Sequence, residues 1–542
     1  MASRRGLFST AGILLYIAPF LWIRESSGSI SFASYYNDHM VLQRAPKSNI
    51  VWGYATTVGS MVSVTLSGKP PVTTHVVEGP IAGKATWKVQ LSPVSDPGPY
   101  EISVESDDGN TKIVDVLFGD VWLCSGQSNM QFTLPQKEFR LKVITISRVL
   151  NADQEMVDSY NYPDIRVFTV DLKTSDQEEY DLLSVLEHWS VPSNATVGYA
   201  PWQYFSAVCW LYGKYLYQHL KYPIGLISST WGGTPIEAWS SKDVTAQCGG
   251  DGIQHKVGRI QDPALRKMNV DVGTNELWNA MIHPLLNLTI YGAIWYQGEA
   301  NAGDPDKYKC YFPAMIGDWR SKFHDGTMSQ TDLQFPFGFV QLAPWRNDPT
   351  ITTGFPDLRW AQTADFGYVP NAQMPNVFMA VAIDLPDFDS PSGGIHPRDK
   401  QDVANRLVLS SLPIAYNMSA GKYQGPFPTA FYIDIGYDTL QIEYDMRSSV
   451  LDVRSMDGFE VCCSKNNQSQ CNPDDSKWNL VPIVKHDDYT VTMSYKNQCP
   501  SMYIVGLRYA WRESPCDFKN CAVYSKENSL PAPPYITIGL IG

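Results

Sequence analysis

Five apolar runs between Val114 and Leu412 constrain what this chain can fold into, because helical stretches alternate with them. The runs read DVLFGDVWLC, YPIGLISST, LTIYGAIWYQG, FPFGFVQLA and VFMAVAIDL. The helical stretches are YFSAVCWLYGKYLYQHL, YKCYFPAMIGDWRSKF and KQDVANRLVLSSL. In the first of these, Phe205, Val208, Leu211 and Leu216 recur at roughly helical spacing beside Lys214 and Gln218. Near-continuous apolar strands need cover on both faces, and their alternation with helices implies a parallel sheet. Residues 116–412 are therefore expected to form an α/β unit whose chemistry gathers at the carboxyl ends of its strands.

A chain of 542 residues is too long for one core and should hold two or three domains. Residues 29–115 read as a small β-sandwich-like unit, with SNIVWGYA, SMVSVTLSG, ATWKVQLS and YEISVES separated by turn residues. Residues 413–542 return to β, through FYIDIG, TLQIEY, YTVTMSY and MYIVGLRYAW. Six of the ten cysteines fall between Cys462 and Cys521. They read as a disulfide framework, since paired C-x-x-C spacing is missing and only His486 is near enough to complete a zinc site. Pairing of Cys124, Cys209, Cys248 and Cys310 stays open.

Arg4 and Arg5 precede the apolar segment Ala11–Ile23, and Ser26, Ser27 and Gly28 come after it. That pattern reads as a signal peptide over 1–28, too short to span a membrane. Sequons at Asn194, Asn287, Asn417 and Asn467 fit glycosylation in the secretory pathway. The net charge of −13 argues against nucleic acid or an anionic membrane as partner, because both need a basic face.

The chemical content of the sequence lies in the short segments just past the runs. DVWLC leads into SGQSNM, with Gly126 as turn residue and Ser128 held clear of the strand. LISS leads into TWGGTP, with Gly232 and Gly233 adjacent; IWY leads into QGEAN, carrying Gln297 and Glu299; AIDL leads into PDFDSPSGGIHPRDK, carrying His396. A serine, a glycine pair, an amide with a carboxylate and a histidine are what acyl transfer requires. The hydroxyl needs a base, and the tetrahedral oxyanion needs donors already aimed at it. Taken singly, each has a structural explanation: turn chemistry for Ser128 and the glycines, helix capping for Gln297 and Glu299, and a polar loop for His396.

The blocks GDVWLCSGQSNM, SSTWGGTPIEAWS, LWNAMIHPL, IWYQGEAN, HPRDKQ and RYAW resemble the sialate O-acetylesterase family of the SGNH/GDSL hydrolase superfamily, across residues 32 to 537 or so. The resemblance implies a three-layer α/β/α domain with a mostly parallel sheet and N- and C-terminal β additions. It implies Ser128 as nucleophile, His396 as base, and oxyanion donors at the Ser128 backbone, Gly233 and Gln297. It implies no metal or organic cofactor, a lysosomal or secreted destination, and sialic acid acetylated at O9 or O4, free or on glycans, as substrate. Oligomeric state is left open. Many relatives place an Asp three residues before the histidine; here that position is Gly393. Glu299 is the first choice for the acid that orients the imidazole, since related acetylesterases with a Q-G-E block use that glutamate. Asp384, Asp387, Asp389 and Asp399 are rivals, and a plain Ser-His dyad is the other option. Arg320, Arg346 and Arg398 are considered for the sialate carboxylate, with Arg398 nearest His396 in sequence. Residue chemistry alone supports a small acyl ester of a polar alcohol, so a polysaccharide acetylesterase, a lipid esterase and an inactive glycan-binding relative stand as alternatives.

Overall fold

The computed structural model describes residues 29–81, 83–140, 143–198, 204–249, 271–419, 421–467, 469–473, 477–499 and 502–539. The leader expected over 1–28 lies outside them. Seven strands form the main path of an 11-stranded central sheet: β1 (Gly109–Gly126), β2 (Ile165–Val170), β3 (Val185–Ser190), β4 (Ile224–Thr230), β5 (Gly292–Tyr296), β6 (Phe337–Gln341) and β7 (Val377–Val381). Three long helices accompany them: α1 (Ala207–Leu220), α2 (Pro305–Gly326) and α3 (Lys400–Tyr416). The strand order is β3-β2-β4-β1-β5-β6-β7. Every neighbouring pair is parallel except β2–β3.

Five of these strands coincide with the apolar runs; β2 and β3 do not. Arg166 interrupts the IRVFTV segment, and the structure buries that arginine by setting Asp115 Oδ2 3.0 Å from its Nη2. Paired in this way, a buried guanidinium is tolerated where an unpaired one is not. β3 is partly exposed, so its sequence carries no continuous apolar signal.

Successive side chains of a strand point to opposite sides of a sheet, and the aromatic packing obeys that rule. Trp122 meets Tyr212 of α1 edge-on at 5.1 Å and Phe378 of β7 at 6.2 Å, and Cys124 is disulfide-bonded to Cys209 of α1. Trp295 of β5 packs on Trp319 of α2 at 5.9 Å, and Phe339 of β6 on Phe312 of α2 at 5.2 Å.

β1 does not stop at the boundary drawn between residues 115 and 116. Its first half pairs antiparallel with Tyr100–Ser106, the middle pairs parallel with Val41–Gln43, and from Asp120 onward it lies between β4 and β5. Likewise α3 continues past residue 412 to Tyr416. Antiparallel strands flank the α/β part at both ends of the chain, among them Asn49–Ala55 with Ala85–Leu91 and Phe459–Ser464 with Tyr503–Tyr509. All ten cysteines are paired: Cys124–Cys209, Cys248–Cys310, Cys462–Cys471, Cys463–Cys499 and Cys516–Cys521. Of the sequons, Asn194, Asn417 and Asn467 are exposed. Asn287 is buried with its Oδ1 accepting from Lys88 Nζ at 2.6 Å, so no glycan fits there without local opening.

Trp122 lies fully buried where the sheet meets α1. Trp122→Ala should cost about 3–5 kcal/mol of stability, measured as an earlier urea midpoint, with Trp122→Phe recovering part of the loss.

Candidate active site

β1 ends in a backbone conformation that only glycine adopts without strain: Gly126 has φ 136°. A β-carbon there would lie 2.3 Å from the Tyr296 carbonyl oxygen at the end of β5. The chain turns instead into a single helical turn, Ser128–Gln131, while Gln127 N–H donates to that same carbonyl at 3.0 Å. The Gln127 side chain accepts from the Gly298 and Ala300 N–H groups, tying the loop after β1 to the loop after β5. Ser128 is thereby presented at the carboxyl end of the central strand.

The loop after β7 brings the histidine. Arg398 forks Asp387 at 2.7 and 2.8 Å, and Ser390 Oγ donates to the His396 carbonyl at 2.7 Å. Held so, His396 Nε2 stands 2.9 Å from Ser128 Oγ, although the two residues are far apart in sequence. Its Nδ1 lies 2.8 Å from the Ser392 carbonyl oxygen, which can only accept, so Nδ1 carries the proton. Nε2 therefore offers a lone pair to the serine hydroxyl. Burial pulls the imidazole pKa down to about 4; the Ser392 carbonyl opposes that shift and the Lys400 charge adds to it. At neutral pH the ring is an unprotonated base in contact with an alcohol.

Neither the Ser128 nor the Gly233 N–H donates a hydrogen bond to another described residue. The Gly232 N–H is taken by Gln131 Oε1 at 2.7 Å, and a β-carbon on Gly232 would lie 3.1 Å from the Ser128 β-carbon, so this loop abuts the serine directly.

Gln297 does not supply the third donor in this structure. Its Nε2 donates to Asn301 Oδ1 at 2.8 Å and to the Thr234 carbonyl at 3.2 Å. The orientation is fixed, because Asn301 Oδ1 also accepts the Ile236 N–H while Asn301 Nδ2 donates to Glu237. Gln297 thus pins the loop that carries Gly233.

Glu299 meets Asn129, not the imidazole: Asn129 Nδ2 donates to Glu299 Oε1 at 2.6 Å. The orienting place is filled by the Ser392 carbonyl. The rival acids are engaged elsewhere or lie open: Asp384 is forked by Arg406, Asp387 by Arg398, Asp399 caps α3 by accepting the Asp402 N–H, and Asp389 is exposed. Arg398 is accordingly spent on Asp387 and shapes the histidine loop. Arg320 is buried on the Phe335, Pro375 and Asn376 carbonyls, and Arg346 lies 3.9 Å over the Trp345 ring with Glu513 Oε2 at 3.7 Å.

Two functional residues escaped the sequence reading. Asn129 follows Ser128 in the chain and Lys400 opens α3, and both are fully buried beside the Ser128–His396 pair. A lysine four residues after the histidine in HPRDK was the available signal.

Comparisons with known proteins show the family. Residues 118–391 match the family described as carbohydrate esterase, sialic acid-specific acetylesterase, and residues 429–539 match the sialate O-acetylesterase C-terminal domain. Sialate O-acetylesterase of Mus musculus is 41% identical over 551 aligned residues, covering 97% of each chain. That of Homo sapiens is 41% identical over 530, covering 96% of this chain and 95% of its own. The crystal structure of a carbohydrate acetylesterase from Xanthomonas citri superposes with a TM-score of 0.72 at 28% identity, covering 94% of this chain and 99% of that one. With a serine and histidine in contact at the strand ends and relatives matched along nearly its whole length, this chain belongs to the sialate O-acetylesterase family.

Proposed function

We propose that this chain removes O-acetyl groups from sialic acids as a serine esterase, with Ser128 as nucleophile and His396 as general base. The observation that carries the proposal is the 2.9 Å contact between Ser128 Oγ and His396 Nε2, in a chain of this family. The Ser128 oxygen attacks the acetyl carbonyl while Nε2 takes the hydroxyl proton. The oxyanion collects at the Ser128 and Gly233 N–H groups. Collapse expels the sugar oxygen, which takes the proton from the imidazolium, and leaves acetyl-Ser128. Water, deprotonated by the same nitrogen, then releases acetate and restores the hydroxyl. The acetyl at O9 is the first candidate position and that at O4 the second.

The fold reading is in keeping with this chemistry. The parallel sheet, with α1 against Trp122 and α2 against Trp295, supports a three-layer α/β/α catalytic domain. The antiparallel strands before and after it support β additions at both ends of the chain, the first joined to the catalytic sheet through β1 and so not ending at residue 115. Five disulfides fit an oxidising compartment, secreted or lysosomal. No helix among the described residues is long and apolar enough to cross a membrane. A broader carbohydrate acetylesterase is the second reading, favoured by the superposition on the Xanthomonas citri enzyme.

Ser128→Ala should lower kcat on 9-O-acetyl sialic acid by about 10³-fold or more while leaving the thermal midpoint in place; turnover at the parent's rate rejects the nucleophile. Hydrolysis of 9-O-acetyl sialic acid well above acetyl-xylan supports the sialate reading, and the reverse supports the broader one. Because the base must be neutral, kcat/KM should fall only as pH drops through about 4, the value to which burial takes His396. An acid limb centred near the ordinary histidine value instead would contradict the buried-base geometry.

A further inference from the structure

Beside Ser128 and His396 runs a line of three buried polar side chains for which the acyl-transfer steps have no use. Lys400 Nζ donates to Asn129 Oδ1 at 2.6 Å, and Asn129 Nδ2 donates to Glu299 Oε1 at 2.6 Å and to the Ile395 carbonyl at 2.9 Å. The amide orientation is unambiguous: an ammonium can only donate and a carbonyl can only accept. Asn129 is next after the nucleophile in sequence, and Ile395 immediately precedes the base. One side chain therefore ties the two catalytic loops together next to the reacting atoms.

Lys400 is reached from several elements. Its Nζ stands 5.3 Å from the Phe132 and Tyr296 ring centroids, and the Phe132 ring stacks on the His396 imidazole at 6.0 Å. The carboxylates acting on it are Glu299, Asp399 and Asp387, while its own charge acts on His396. Burial lowers the lysine to about 7, so through the acid limb of the esterase it is charged. Burial raises the Glu299 carboxyl above the usual range, against the Asn129 hydrogen bond and the Lys400 charge.

Burying an ammonium and a carboxyl group strips both of water, and apolar side chains of like volume would fill the space without that penalty. Stability alone does not account for such a line at this place. We infer that Asn129, Lys400 and Glu299 are positioning residues of the esterase: the Asn129 amide, held by Lys400 and Glu299, fixes the separation of Ser128 and His396, and the Lys400 ammonium packs on Phe132, the ring that stacks on the imidazole. The inference rests on the assignment of Ser128 as nucleophile and His396 as base. It gives Glu299 a part at one remove, holding Asn129 in place of orienting the histidine.

The test compares pH profiles of kcat/KM for full-length variants on a chromogenic acetyl ester, with Ser128→Ala as control. Lys400→Met keeps the side-chain length and removes the charge. Its acid limb should move up from about pH 4 while staying below the ordinary histidine value, since burial is the larger cause. Its kcat should fall about ten-fold with KM within about two-fold. Glu299→Gln keeps an acceptor for Asn129, and because the raised carboxyl is already protonated through the acid limb, its limb should stay put. Asn129→Ala, which holds if the lysine variant does not fold, should lower kcat about ten-fold with KM little changed. An unmoved limb in Lys400→Met, whatever its kcat, or a raised limb in Glu299→Gln, or parent-like kcat in Asn129→Ala overturns the inference. If Ser128→Ala is inactive while the other variants behave like the parent, only the positioning roles fail; if Ser128→Ala stays active, the esterase assignment itself fails.

Discussion

Two strand ends approach so closely at Gly126 and Tyr296 that any side chain at residue 126 would collide with a carbonyl oxygen. The remainder of the site is arranged around that approach. Because β1 and β5 finish side by side, the segments leaving them must diverge at once, and each is held by the other's amide groups: Gln127 on Gly298 and Ala300, Asn129 on Glu299. The loop after β4 is drawn in by Gln131 on Gly232 and by Gln297 on Thr234. Three loops thus meet at one serine, each restrained by hydrogen bonds whose partners lie on another loop. Such mutual restraint is how a site holds a reactive geometry without help from a ligand.

The polar groups here do different work from the sheet below. Between Trp122 and Trp319 the interior is aromatic and aliphatic, and its contribution is area removed from water. At the strand ends the interior becomes a set of donors and acceptors with little slack, where each amide has one orientation consistent with its neighbours. Asn129 and Asn301 illustrate it: each receives a donor that cannot accept and offers its own hydrogens to an oxygen that cannot donate. A low-dielectric surrounding strengthens these bonds and penalises any that fail to form. The imidazole shares that surrounding, which is why its proton affinity falls.

Much of this was legible in the chain. Four strands announced themselves because nothing charged interrupts them, and β1 did so despite Asp120; β2 was hidden by Arg166, whose partner Asp115 lies on another strand. Ser128 and His396 could be picked out because their position after a strand, and the blocks around them, carry the information. The bonding of Gln297, Glu299 and Arg398 could not, since an amide, a carboxylate and a guanidinium can each serve substrate or scaffold. The choice among these depends on neighbours such as Asn301, Asn129 and Asp387, which the fold supplies. Lys400 failed for a related reason: a lysine opening a helix reads as a solvated charge until the loop over it is known. Asn287 fits a sequon as well as its three counterparts do, and only burial separates it from them.

The passage of β1 from the antiparallel strands near Tyr100 into the heart of the central sheet carries a consequence for how such a protein can be assembled or divided. A single ribbon belongs to two ladders, so dividing the chain at the 107–108 turn would leave the first half of the strand that delivers the serine without its antiparallel partner. The amino-terminal portion is accordingly a foundation of the catalytic portion, bonded along the same strand that presents the nucleophile.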